Sequence, residues 1–165
     1  MPDVENGVIL NLDRMEEMMR KVQDIASTQV LVGIPAAKSP RQGDPINNAA
    51  LGYIHEFGSP AHNIPARPWL GPPVNRMRDE AAAMLKKAAE LRFDGKAAES
   101  DQVLNALGLT AQNKVKANIV AGGDPKFAPN APSTIARKGS DRPLVDTAQM
   151  LNSVTYVLRK KGSTS

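Results

Sequence analysis

The sequence predicts an α+β fold: a small antiparallel or mixed β-sheet packed with several helices, two of them long, and an extended proline-rich arm. Three observations carry this expectation. Short stretches at 7–12, 28–34 and 153–158 alternate with strand periodicity. Longer stretches at 72–93 and 99–120 repeat their apolar residues at helical spacing. Between these, Pro60, Pro65 and Pro68 interrupt a segment that can be neither strand interior nor helix. The 165 residues fit one domain, taken as 1–160, followed by a polar tail at 161–165.

In chain order, Val8, Leu10 and Leu12 alternate with Ile9 and Asn11 and mark a first strand. Asp13 then caps a helix to about residue 25, whose Met15, Met18, Met19, Val22 and Ile25 fall on one face. The β-branched run 28–34 places Val30, Val32 and Ile34 on one side and Leu31 on the other, a buried strand. Residues 35–45 read as an exposed loop. Asp44 and Pro45 supply the cap and first position of a short helix ending near Phe57, with Ala50, Ile54 and Phe57 inward and Gly58 as its stop. Pro72-Pro73 opens what the pattern makes the longest helix, running to about Phe93 on a stripe of Val74, Met77, Ala81, Leu85, Ala88 and Leu91. After Asp94-Gly95, a second long helix at 99–120 steps through Val103, Leu107, Ala111, Val115 and Ile119, with Gly108 weakening its middle. Gly122 and Gly123 end it, and the residues up to Pro143 form a long, irregular, basic loop. Asp146 and Gln149 make a capping box for a short helix at 147–152, and 153–158 is the third strand.

Composition excludes several functions. With no cysteine there is no disulfide frame, thiolate metal site or cysteine nucleophile. No apolar run approaches a membrane span of about 20 residues, and the first residues do not begin a signal peptide, so the chain is expected in the cytosol where it is made, with no membrane partner. A net charge of +4 is mild for a dedicated nucleic-acid binder. The cations lean toward Arg137, Lys138, Arg142 and the C-terminal Arg159, Lys160 and Lys161. They suit either a solvating surface or sequence-independent contact with phosphates. His55-Glu56 is half of a zincin motif, but the second histidine would fall at Ser59. Ser59 and His62 lack a nucleophile elbow, and Gly122-Gly123 lacks the lysine and hydroxyl of a phosphate loop. No catalytic, metal or cofactor site is expected.

The most distinctive segment is 47–70, NNAALGYIHEFGSPAHNIPARPWL. It delivers the only tryptophan, Trp69, on a proline-pinned arm, and Arg67 sits between Ala66 and Pro68 in a restricted backbone that favours a fixed salt bridge. Either Trp69 plugs the core at the start of a helix, or Ile64, Arg67 and Trp69 anchor a neighbour.

Here the sequence resembles a known family. His55-Glu56-Phe57-Gly58 followed by Ile64-Pro65-Ala66-Arg67-Pro68-Trp69-Leu70 resembles the "E-F-G … I-P-A-R-P-F-L" signature of small tailed-bacteriophage virion-morphogenesis, neck or tail-completion proteins. Pro143 to Val154 resembles their "P-L-x-D-T-G-x-L-x-x-S-I", and the run Val32-Gly33-Ile34-Pro35 fits the opening. Trp69 stands for the usual phenylalanine and Ala148 for the usual glycine. The resemblance implies a non-enzymatic virion protein, made in the bacterial host cytoplasm, that forms a homo-oligomeric ring at the head–tail junction. Its implied partners are the portal-side connector or head-closure protein and the tail tube or tail terminator protein. On this reading Phe57, Ile64, Arg67, Trp69 and Leu70 form the subunit or partner interface, and Arg137, Lys138 and Arg142 face a lumen through which packaged DNA passes. The alternatives are a small basic DNA-binding accessory protein and a tail terminator capping the tail tube.

Overall fold

A computed structural model describes residues 12–38, 40, 45–146 and 148–162. Among them the order is α1 (Leu12–Ser27), β1 (Thr28–Gly33), α2 (Asn48–Phe57), α3 (Gly71–Arg76), α4 (Arg78–Phe93), α5 (Ala97–Val120), α6 (Pro132–Lys138), α7 (Gln149–Ser153) and β2 (Thr155–Lys160). Short 3-10 turns lie at Ala36–Lys38 and Pro60–His62. The fold is α+β, with β1 and β2 as an antiparallel pair in which Thr28 faces Lys160 and Gly33 faces Thr155. The strand expected at 7–12 lies outside the described residues, apart from Leu12, which opens α1.

The molecule is built along α5, its longest helix, rather than along the helix at 72–93. Leu104, Leu107, Ala111, Val115 and Ile119 are its buried apolar residues. Toward its C-terminal end, Val115 and Ile119 pack with Trp69, Phe127, Met150 and Val154. Nearer its middle, Leu107 and Ala111 pack with Met77 and the sheet residues Val30 and Val32. Gly108 is a seat rather than a weak point: a Cβ there would lie 2.1 Å from Cδ2 of Tyr156, so only glycine lets β2 lie this close to the helix.

Several elements depart from expectation for identifiable reasons. The helix at 72–93 is broken at Met77 (φ −95°, ψ 11°) into α3 and α4, and Leu85 is exposed while Met84 packs inward. α2 begins at Asn48, and the Asn47 side chain accepts from the Ala50 N–H at 2.8 Å as its cap. Its inner face is Asn48 and Gly52, so Ala50 and Phe57 point outward, against expectation. The loop expected up to Pro143 contains α6, opened by Pro132 and closed by Gly139 in the left-handed conformation. Asp146 makes no capping box: α7 starts after Ala148, itself left-handed at φ 58°, with no side-chain cap bond. The last strand runs to Lys160 rather than ending at 158, so it includes Arg159 and Lys160.

Candidate functional site

The arm motif is an internal brace. Gly58 ends α2 at φ 75°, and a Cβ there would stand 2.8 Å from the Ala66 nitrogen, so glycine lets the arm double back. The return is a tight turn in which Ser59 and Ile64 form an antiparallel bridge. The Arg67 N–H then donates to the His55 carbonyl at 2.6 Å. Glu56 receives the far end: its two carboxylate oxygens accept from the Leu70 and Gly71 N–H groups, both at 2.9 Å, where α3 starts. Trp69 is 4% exposed and donates from Nε1 to the Gly52 carbonyl at 2.8 Å. Asn118 on α5 locks the same corner, donating to the Trp69 carbonyl while its oxygen accepts from Arg76 and from the Asp124 N–H.

Arg67 is 5% exposed and does not form the expected salt bridge. Its Nε donates to the Ala128 carbonyl at 2.7 Å and its Nη2 to the Pro129 carbonyl at 2.8 Å. The guanidinium thus staples the arm to the segment before α6, and burial pulls its pKa below the ordinary value.

Beyond Arg67 opens a groove of about 550 Å³. Ile64 and Arg67 from the arm, Arg137 and Lys138 from α6, and Leu144 and Met150 from the second motif all line it. Residues expected to serve two separate tasks, partner contact and lumen lining, therefore share one concavity. The Lys138 ammonium is held below its ordinary pKa, first by burial and then by the like charges of Arg137 and Arg67, with Asp146 acting in the opposite direction. Its Nζ donates to the Arg142 carbonyl at 3.0 Å. Three cations against one carboxylate, with apolar walls, make a surface suited to an acidic and partly apolar partner.

The remaining expected residues are spread around this groove. Phe57 is 65% exposed on the outer side of α2 and packs against Tyr53 with ring centroids 4.8 Å apart. Leu70 is half-buried against the core, and Arg142 is exposed outside the groove lining. Arg67 and Trp69 anchor the arm to its own body: Trp69 is closed off in the core, while Arg67, already bonded to Ala128 and Pro129, shows only an edge to the neighbouring concavity. Sequence reasoning missed Glu56 and Asn118 as braces. A glutamate placed before a Pro-Pro helix start was the available signal for Glu56.

Ser59 Oγ and His62 Nδ1 lie 2.8 Å apart, three residues apart within the exposed turn. Among the described residues no cluster of three or more His, Asp or Glu side chains is arranged to hold a metal ion, and no helix is long and apolar enough to cross a membrane. No protein-family model, curated protein or solved structure matches the chain.

Proposed function

We propose that the chain is a non-enzymatic structural subunit of a tailed-phage particle, assembling as a homo-oligomeric ring at the head–tail junction between the portal-side connector and the tail. The observation that carries this reading is α1. From Asp13 to Arg20 every side chain is exposed, and Met15, Met18 and Met19 are 52%, 59% and 56% exposed on one face of the helix. A methionine ridge left in water is unfavourable for a lone subunit and fits one that covers it with a neighbour. The sheet supports the same reading. It has only two described strands, and the cross-strand pair Leu31 and Val157 is partly exposed on its outer face. The resemblance of the arm and of the 143–154 segment to phage neck and tail-completion signatures supplies the particle and the partners.

The test is the mass of the full chain in solution against concentration, alone and with the connector or tail-tube protein. Discrete closed oligomers, alone or on the partner, are expected. Met15→Lys/Met19→Lys should abolish them while leaving Tm unchanged, because both side chains already lie in solvent. A chain that stays monomeric with either partner and binds duplex DNA with a log–log salt slope of several would replace this reading with the DNA-binding accessory role.

A further inference from the structure

We propose that the cationic groove receives the N-terminal half of α1 from a second copy of this chain, in a head-to-tail contact. The inference rests on the assembly reading above and identifies its two surfaces. On the inserting side, residues 13–20 carry Asp13, Glu16 and Glu17 against Arg14 and Arg20, alongside the exposed methionines. Glu17 is held by Lys21 at 3.0 Å, whereas Glu16 has no ion pair or hydrogen bond among the described residues. On the receiving side, Arg67, Arg137 and Lys138 face Asp146, and the Arg137 side chain likewise has no bonded partner among the described residues. Glu16 and Arg137 are thus the uncommitted charges of the two surfaces, opposite in sign, and the apolar walls Ile64, Leu144 and Met150 match a ridge of adaptable methionines. A duplex fits this surface less well. It presents phosphates on a convex cylinder and nothing to cover an apolar wall.

No residue of the same chain's α1 lines the groove, and the anchored end of that helix sits far from it. Asp24 of α1 pairs with Arg92, which pairs with Asp101 near the start of α5. Met150 of the groove packs with Ile119 near the end of α5. Eighteen residues of helix separate Asp101 from Ile119, roughly 27 Å at the α-helical rise. The anchored end of α1 and the groove therefore lie toward opposite ends of α5. A contact between two different patches of identical chains is heterologous, and it closes a ring when the rotation between copies allows.

The experiment compares full-length wild type, Glu16→Arg, Arg137→Glu and the double variant by sedimentation equilibrium, with thermal unfolding as the fold control. Each single reversal should weaken self-association about tenfold at unchanged Tm, and the double variant should recover most of it. Because the chain has no cysteine, an equimolar mixture of Glu16→Cys and Arg137→Cys proteins under mild oxidation should also give the mixed disulfide dimer well beyond the twofold excess over either homodimer that random pairing produces. Wild-type association in both single reversals, with no excess of the mixed dimer, overturns the groove contact and leaves the assembly reading intact. A wild type that is monomeric alone and with both partners overturns the two together.

Discussion

Ala148 holds φ 58° at the residue before α7, a conformation that costs an L-residue with a Cβ about 1–2 kcal/mol and costs glycine nothing. Ala148→Gly should therefore stabilise the fold by about 0.5 kcal/mol or more after glycine's extra unfolded-state entropy is subtracted, as read by urea denaturation. Gly108 carries the opposite expectation. Alanine would gain helix propensity but place its Cβ 2.1 Å from the Tyr156 ring, and moving that ring disturbs β2, so Gly108→Ala should cost about 2 kcal/mol net. At Arg67 the two acceptors are successive backbone carbonyls, Ala128 and Pro129, met by different nitrogens of one planar group. A lysine ammonium is a point donor and cannot reproduce that fork. Arg67→Lys should lose about 1–3 kcal/mol, close to the loss in Arg67→Ala, whereas an arginine acting through charge alone would be rescued by lysine.

At the scale of elements, the C-terminal half of α1 is tied to the body through Lys21, which donates to the Phe93 carbonyl, and through Asp24. Asp24 accepts from Lys160 of β2 and pairs with Arg92 of α4 at 3.3 Å. The Lys160 hydrogen bond, helped by the charges of Lys160 and Arg92 and opposed by partial burial, holds the Asp24 carboxyl below its ordinary pKa. A depressed acid stabilises the fold in full above its unfolded-state value, and that contribution is lost as pH falls through the folded value. Acidification below the ordinary aspartate range should therefore loosen this end of α1. Asp24→Asn should remove that part of the acid sensitivity while costing under about 1 kcal/mol at neutral pH, because the pair is partly exposed. The elements differ in how legible they were. α5 was readable from Leu107 to Ile119, whose buried apolar residues recur at four-residue steps, but not at Leu104, which falls three residues before Leu107 and beside the expected Val103. The same rule misassigned Leu85: the inward residues Met77, Ala81, Met84 and Ala88 step by four, three and four, following the 3.6-residue turn that a strict four-residue step drifts away from. α6 was hidden because Pro132 read as a breaker, though in the first turn it is a starter. The arm residues Arg67 and Trp69 stood out by type. Their partners did not, because the acceptors are the carbonyls of Gly52, Ala128 and Pro129, and every residue offers one.

For the whole molecule, the groove was the least legible feature. It joins α2 and the segments around 63–67, 129–138 and 144–150, which meet only because the chain returns to the end of α5 after leaving it. No local pattern contains that return, whereas the α+β class followed directly from the alternation of short and long periodic runs. The subunit so formed buries much of its core around the arm corner, whereas residues 13–20 of α1 are exposed. That asymmetry predicts an ordered response to denaturant: amide exchange should be fast along residues 13–20 and slowest around Val115 and Ile119, the most deeply buried apolar residues of α5. Trp69, the sole tryptophan, also gives the chain an optical gauge. Its indole is shielded from water and bonded to Gly52 at the point where α2, the arm and the start of α3 meet. Its emission should be blue-shifted and resistant to iodide quenching in the free subunit. Any step of particle building that unlatches the arm would show as a red shift from that single chromophore, so docking that leaves the arm closed and docking that pries it open can be told apart in a cuvette without adding a label.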